Sequence, residues 1–168
     1  MIRTAILTIS DRSSRGERED LSGPALVQEA NSLGWQVVRT NILPDDLASI
    51  QTLLAHWCDA GEIDLVLPTG GTGFAPRDVT PEATLAVIER FAPGLAEAMR
   101  QESMKITPHA MLSRAVTGIR SRTLIINLPG SPRAAVENLR IVAPVIPHAV
   151  ELIQESPDSE AGHRKKNP

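Results

Sequence analysis

Short apolar runs alternate along the chain with longer segments in which apolar residues recur every three or four positions. Short runs of this kind are typical of strands buried on both faces of a parallel sheet, and the longer period is typical of helices that cover it. The pattern predicts strands at residues 5–9, 36–43, 64–68, 112–120 and 123–128. It predicts helices at residues 24–33, after 46, after 80, at 95–105 and from 132 to 153. This alternation indicates an α/β fold.

Glycine and proline residues mark where several of these elements end. Gly34 stops the first long helix, and Pro108 ends the helix at 95–105. Pro144 and Pro147 predict a kink or break in the last helix, because proline cannot donate a backbone hydrogen bond.

The length and composition fit one globular domain. A chain of 168 residues can bury a core of its own, and its 42% hydrophobic and 22% charged residues are ordinary values. We find no internal repeat or long linker, so we expect a single three-layer α/β/α domain at residues 1–155, with a mostly parallel sheet and an antiparallel edge portion. The polar segment 156–168 is expected to be a disordered tail.

Charge and cysteine content narrow the functional classes. The formal net charge of -3 and the 2% of aromatic residues argue against a nucleic-acid-binding protein. Cys58 is the single cysteine, so an intrachain disulfide or a Cys-x-x-Cys site cannot form, and a reducing compartment fits. Asp11 and Arg12 end the first apolar run too early for a signal peptide, and no stretch reaches the length of a membrane helix. We therefore expect a cytoplasmic protein that binds neither nucleic acid nor a membrane.

The most distinctive stretch is Thr69-Gly70-Gly71-Thr72-Gly73, which follows the third strand. Glycine lets backbone amides approach an anion closely, so phosphate binding is one interpretation, and a tight turn is the other. The spacing excludes a Walker-type loop, which needs a lysine here, and a dinucleotide fingerprint, whose third glycine is replaced by Pro76. Asp78 favours phosphate binding with a divalent cation, because a carboxylate this close would repel a phosphate unless Mg²⁺ lay between them.

Polar residues follow the other strands too, at the positions where α/β sheets carry ligands. Residues 10–16 are predicted to form a polar loop. Asp45-Asp46 is a pair of carboxylates at a strand end and by itself is typical of a helix N-cap. Gly130-Ser131-Pro132 combines a turn with a helix start, which is typical of an anion site. Arg114 could contact a phosphate through two N–H groups or lie solvated on the surface.

Four motifs stand in order along the chain: Thr69-Gly70-Gly71-Thr72-Gly73, Arg77-Asp78-Val79-Thr80-Pro81-Glu82-Ala83, Met111-Leu112-Ser113-Arg114 and Asn127-Leu128-Pro129-Gly130-Ser131-Pro132. Together they resemble the molybdopterin adenylyltransferase family of molybdenum cofactor biosynthesis, which includes the MogA and MoaB proteins and the gephyrin G domain. The resemblance extends from about Ile6 to Ile153, nearly the whole chain.

This resemblance implies Mg²⁺-dependent adenylylation of molybdopterin, with ATP as co-substrate and with adenylyl-molybdopterin and pyrophosphate as products. It implies that Asp45 and Asp78 are the catalytic and metal-binding residues, with Asp46 one position away as a substitute. It also implies a homotrimer and a partner similar to MoeA, the protein that inserts molybdate.

The resemblance further implies a set of residues that binds the two substrates. Ser10 and Asp11 would lie on the nucleotide side, and Ser113 and Asn127 on the molybdopterin side. The full set is Ser10, Asp11, Thr69, Gly70, Gly71, Thr72, Gly73, Ser113, Arg114, Asn127, Pro129, Gly130 and Ser131.

Three other functions stay open from the sequence. A MoaB-type protein would bind molybdopterin without adenylylating it. A gephyrin-like domain would act mainly as an oligomeric scaffold, although the presence of both Asp45 and Asp78 speaks against a purely structural role. A domain of the molybdate-inserting proteins normally belongs to a longer, multidomain chain.

Overall fold

A six-stranded sheet forms the centre of the protein, and the computed structural model describes residues 1–155 of the chain. The strands are β1 (Arg3–Ile9), β2 (Gln36–Leu43), β3 (Leu65–Thr69), β4 (Arg90–Phe91), β5 (Thr117–Arg120) and β6 (Thr123–Ile126). Their order across the sheet is β2-β1-β3-β6-β5-β4. The first four in this order are parallel, and β5 and β4 add an antiparallel edge. The predicted fold class is confirmed, while the tail predicted at 156–168 lies outside the described residues.

Helices cover both faces of the sheet. They are α1 (Asp11–Ser14), α2 (Ser22–Ser32), α3 (Leu47–Asp59), α4 (Thr80–Val87), α5 (Pro93–Met104), α6 (Pro132–Val142) and α7 (Ile146–Ile153). Apolar residues of α2, α5, α6 and α7 form one buried cluster, and those of α3 and α4 form the other. None of the helices within the described residues is both long and apolar enough to span a membrane.

The central strands are buried on both faces, as their continuous apolar runs predict. Within β1, Ile6 belongs to the cluster under α2, α5, α6 and α7, while Ala5 and Leu7 belong to the cluster under α3 and α4. Because successive side chains point to opposite faces, one short run supplies both cores. This packing fixes the carboxyl ends of the parallel strands at one edge of the domain.

Several predicted elements differ in detail. The polar loop expected at residues 10–16 contains α1, because the Ser10 Oγ accepts a hydrogen bond from the Ser13 amide at 3.2 Å and caps the helix. The strand expected at 112–120 begins only at Thr117, after a 3-10 turn at Pro108–Leu112. The predicted break near Pro144 is confirmed as a 3-10 turn between α6 and α7. Strand β4 has two residues, too few to produce a sequence pattern.

Candidate active site

Gly70 and Gly71 turn the chain at the carboxyl end of β3, with φ angles of +100° and +62°. A Cβ atom on Gly70 would lie 2.3 Å from the carbonyl oxygen of Ile9, a distance that no side chain can adopt. The Gly70 amide donates a hydrogen bond to the Leu128 carbonyl at 3.1 Å, which ties the loop to the chain after β6. Glycine at position 70 is therefore required both by the backbone conformation and by the close approach of β1.

Thr80, the first residue of α4, holds the glycine loop against the helix. Its amide donates to the Gly71 carbonyl at 3.1 Å, and its hydroxyl donates to the Gly70 carbonyl at 2.7 Å. In the described part of the chain, the amides of Gly71, Thr72 and Gly73 donate to no protein acceptor. A turn with unused N–H groups can bind an anion through its backbone.

A cleft of about 750 Å³ opens beside this loop, at the carboxyl ends of the central parallel strands, and is called the main cleft below. Its lining includes the predicted binding residues Ser10, Thr69, Gly70, Gly71, Gly130 and Ser131. Its carboxylates are those of Asp11, Glu19, Asp20, Asp45 and Asp78. Its cations are the guanidinium groups of Arg12, Arg15, Arg18 and Arg77. Cations for phosphate oxygens and hard oxygen ligands for a metal thus share one space.

Asp45 and Asp46 have different roles although they are adjacent. The Asp46 carboxylate caps α3, accepting from the Ser49 amide at 2.9 Å. Asp45 lines the main cleft and forms a reciprocal pair with Asp11, in which the amide of each aspartate donates to the other's carboxylate at 3.0 Å. This pair joins the ends of β1 and β2. The structure therefore leaves Asp45, and not Asp46, as the aspartate that faces the cleft.

The electrostatics of Asp45 indicate a site suited to a cation. Burial raises the pKa of the Asp45 carboxyl, the nearby Asp11 and Asp78 carboxylates raise it further, and the Asp11 amide and the Arg77 charge oppose this shift. A divalent cation would relieve that repulsion. Within the described residues, no three acidic, histidine or cysteine side chains converge to hold a metal by themselves. The residues present therefore fit Mg²⁺ held by one or two carboxylates and completed by substrate oxygens, which is its usual arrangement with phosphates.

Asp78 is held beside the glycine loop by a short turn. Its Oδ2 accepts from the Ala75 amide at 3.0 Å, and a Cβ atom on Gly73 would approach the same oxygen to 2.9 Å. Glycine at position 73 therefore leaves the space that the Asp78 carboxylate occupies. Asp45 has the same relation to Gly71, where a Cβ would lie 2.9 Å from Asp45 Oδ1.

Arg114 stabilises this turn through hydrogen bonds to its main chain. Its Nε donates to the Gly73 carbonyl and its Nη2 to the Asp78 carbonyl, both at 2.7 Å. Its Nη1 forms an ion pair with Glu82 on α4. Because the guanidinium is committed to both ends of the turn, Arg114 lines neither cavity and instead positions the segment that carries Asp78.

A second cavity, of about 310 Å³, lies on the other side of the glycine loop. Its lining includes Thr72, Gly73, Ser113 and Pro129 from the predicted set, together with residues from α5, α6 and the 3-10 turn. The charged and amide side chains among them are Arg100, Glu137 and Asn138. The cavity is largely apolar, unlike the main cleft. The four-residue segment from Gly70 to Gly73 thus contributes two residues to each cavity.

Asn127, another predicted site residue, is not among the residues that line either cavity. It is fully buried, its Nδ2 donates to the Thr84 hydroxyl at 2.8 Å, and its Oδ1 accepts from the Val116 amide at 3.2 Å. Both polar atoms are satisfied inside the domain, so the side chain does not reach either cavity. It fixes the end of β6, from which Pro129 continues to the cavity walls.

Sequence reasoning missed several residues that line the two cavities. Asp20 lies in the main cleft, where it accepts from the Thr8 hydroxyl at 2.7 Å and from the Gly23 amide at 3.0 Å. In the sequence, Asp20 stands three positions before Gly23, a spacing at which a carboxylate can accept from an amide in the first turn of a helix. Arg12 and Arg77 are visible as charged neighbours of motif aspartates, whereas Arg100 on α5 belongs to no motif.

The fold and the two cavities define an α/β ligand-binding domain whose site lies at the carboxyl ends of parallel strands and is suited to an anionic ligand bound together with a cation. A family model described as a probable molybdopterin binding domain matches residues 5–148 of the chain. The chain belongs to this family, as the four motifs predicted.

The chain is similar to named proteins over most of its length. A molybdopterin adenylyltransferase of Helicobacter pylori strain J99 is 46% identical over 155 residues, which cover 90% of this chain and 88% of that protein. Dictyostelium discoideum gephyrin is 44% identical over 174 residues, but these span 96% of this chain and only 24% of gephyrin. Among solved structures, the molybdopterin biosynthesis enzyme MoaB of Thermus thermophilus matches with a TM-score of 0.88 and 47% identity, covering 94% of this chain and 99% of that one.

Proposed function

We propose that the protein is a molybdopterin adenylyltransferase of molybdenum cofactor biosynthesis. It transfers the adenylyl group of ATP to the terminal phosphate of molybdopterin, giving adenylyl-molybdopterin and pyrophosphate. Membership of the molybdopterin-binding family supports the pterin substrate, and the name of the Helicobacter relative supports the reaction and ATP.

One observation carries this proposal: a single glycine loop lines two cavities of contrasting character. The main cleft, with arginines, carboxylates and free amides, suits a triphosphate. The smaller and more apolar second cavity suits a ring system. A reaction that joins a nucleotide to a second, ring-containing substrate through a phosphate needs two such sites that meet at one point, and the loop is that point.

The protein would contribute mainly by positioning the two substrates and by stabilising negative charge on the phosphates. The attacking group is a phosphate monoester, whose second pKa is about 6, so it is largely ionised at neutral pH without a general base. The amides of Gly71 to Gly73 would bind phosphate oxygens, and arginines such as Arg12 and Arg77 would hold the triphosphate. Asp45 and Asp78 would hold Mg²⁺, which neutralises charge on the phosphates as the α-phosphorus is attacked.

Further properties of the family are proposed on the same basis. We expect a homotrimer in the cytoplasm that hands its product to a MoeA-like, molybdate-inserting protein. Exposed apolar residues are available for such contacts, among them Phe74, Phe91, Ile106 and Met111, which are 63–68% exposed.

The direct test is release of pyrophosphate from ATP by the purified full-length protein. Release that requires both molybdopterin and Mg²⁺ is the expected result. Molybdopterin binding without pyrophosphate release would instead indicate a MoaB-type binding protein. Failure to bind either substrate would leave only the scaffold function.

A further inference from the structure

The second cavity has one carboxylate among its described lining residues, that of Glu137 on α6. Its Oε1 accepts from the Arg133 Nε at 2.7 Å, while its Oε2 accepts from no protein donor in the described part of the chain. The Arg133 side chain is 84% exposed, so this is a surface ion pair of the kind that contributes little to stability. The carboxylate is therefore available to a ligand in the cavity.

We propose that Glu137 recognises the pterin ring of molybdopterin, an inference that rests on the proposed function. One edge of a pterin presents an exocyclic amino group beside a ring N–H, two parallel donors in the same relation as two N–H groups of a guanidinium. A carboxylate accepts such a pair through two parallel, charge-assisted hydrogen bonds. Glu137 is then the residue that determines which ring the second cavity takes.

The surroundings of Glu137 complement the rest of such a ring. Asn138 is only 8% exposed, and its Nδ2 donates to the Ser103 hydroxyl at 3.2 Å and the Ala134 carbonyl at 2.9 Å, which leaves its Oδ1 without a protein donor among the described residues. Arg100 donates through Nη1 to the Ala115 carbonyl at 3.0 Å and to the Ser113 carbonyl at 3.4 Å, while its Nε and Nη2 groups have no described protein acceptor. The cavity thus offers a further acceptor, a donor for a ring carbonyl, and apolar walls for the ring faces.

The same pattern disfavours the adenine ring in this cavity. Adenine presents its amino group beside a ring nitrogen that accepts, so a carboxylate could pair with only one of the two positions and would repel the other. The arginines that would follow the triphosphate of ATP all lie in the main cleft. The second cavity would therefore select the pterin by its hydrogen-bonding pattern, and the main cleft would select ATP by its charge.

The test compares two rings that differ at the edge Glu137 would contact. In 6-hydroxymethyllumazine an oxygen replaces the amino group of 6-hydroxymethylpterin, and both compounds are fluorescent. We expect the wild-type protein to bind the pterin at least about tenfold more tightly than the lumazine. In Glu137→Gln this preference should disappear or reverse, because the amide offers one acceptor and one donor.

Arg133→Gln is the matched control, because it removes the ion pair and keeps the carboxylate. It should retain the wild-type preference, and ATP binding in all three proteins should be equal if they are folded alike. Equal affinities of the wild-type protein for both rings, no binding of either ring, or the same change in Glu137→Gln and Arg133→Gln would overturn the inference. Pyrophosphate release is scored separately: ring selectivity without release contradicts the proposed function alone, and release without ring selectivity contradicts only the role of Glu137.

Discussion

The main cleft and the second cavity share one loop but are formed by different kinds of secondary structure. The main cleft lies at the ends of parallel strands, where the sheet positions backbone amides and aspartates and exposed arginines lie beside them. The second cavity lies between α5, α6 and a 3-10 turn, and its polar groups are side chains on helices. Strand ends provide concentrated charge in fixed positions, whereas helix faces provide shape and hydrogen-bonding pattern. The comparison indicates that reactivity and ring selectivity can be changed separately.

The largest expected effect comes from removing the carboxylates of the main cleft. Asp78→Asn and Asp45→Asn should each lower the turnover by about 10²–10³-fold, because several kcal/mol of charge stabilisation depend on the metal they would hold. Pterin binding in the second cavity should stay unchanged. The measurements are pyrophosphate release and fluorescence titration with 6-hydroxymethylpterin.

Asp46→Asn is the control for those two variants, since asparagine caps a helix as well as aspartate does. It should keep nearly full turnover. Wild-type turnover in Asp78→Asn would remove the metal role, and loss of pterin binding in the same variant would show that the two cavities are not independent.

Gly70→Ala tests the element that the two cavities share. The methyl group would meet the Ile9 carbonyl at a positive φ, so the free energy of unfolding should fall by about 2–4 kcal/mol, measured by urea denaturation. Gly61 also has a positive φ, +70°, but open space around it, and Gly61→Ala should cost only about 1 kcal/mol. Equal losses in the two variants would mean that the contact with β1 is unimportant.

Arg114→Gln should have a smaller effect, because it acts through the position of Asp78. We expect turnover to fall by about tenfold as the turn from Gly73 to Asp78 loosens, with a raised Mg²⁺ requirement. Glu82→Gln removes only the ion pair and should lose less. If Arg114→Gln instead changed only the KM for ATP and left the Mg²⁺ dependence intact, Arg114 would be a phosphate ligand.

The smallest expected effect is the change in melting temperature caused by Asp45→Asn. Because burial and neighbouring carboxylates raise the pKa of Asp45, its charged form disfavours the folded state at neutral pH, and the protonated form does not. Asp45→Asn should therefore melt at a slightly higher temperature than the wild-type protein at pH 7. This advantage should vanish as the pH falls below the ordinary aspartate range, and Mg²⁺ should narrow it. A lower melting temperature for the variant at pH 7 would contradict this account.

The sequence predicted the main cleft better than the second cavity, for a physical reason. Glycines and aspartates at strand ends leave local signals, so Gly70, Gly71, Asp45 and Asp78 could be placed together at one edge of the sheet. The choice between Asp45 and Asp46 needed the structure, since both suit a helix cap. The sequence left a phosphate contact and a surface position open for Arg114, because nothing in its motif shows that it donates to the Gly73 and Asp78 carbonyl groups.

The second cavity depends on tertiary packing and left little trace in the sequence. Arg100, Glu137 and Asn138 lie on ordinary amphipathic helices, and their approach to Ser113 follows from how α5 and α6 pack on the sheet. Asn127 is a motif residue whose side chain forms hydrogen bonds inside the domain. The positions of most helices and strands were predictable from apolar periodicity, whereas cavity walls shared by distant segments were not.

The thinness of the partition between the cavities has a practical consequence for inhibitor design. The main chain from Gly70 to Gly73 lines both cavities, as does the segment from Pro129 to Ser131, and a Cβ on Gly130 would lie 3.2 Å from the Gly70 Cα. A compound that links an adenosine to a pterin through a short anionic tether would occupy both sides at once. Such a tether raises the effective concentration of the second group, so even two weak fragments should yield a tight bisubstrate ligand.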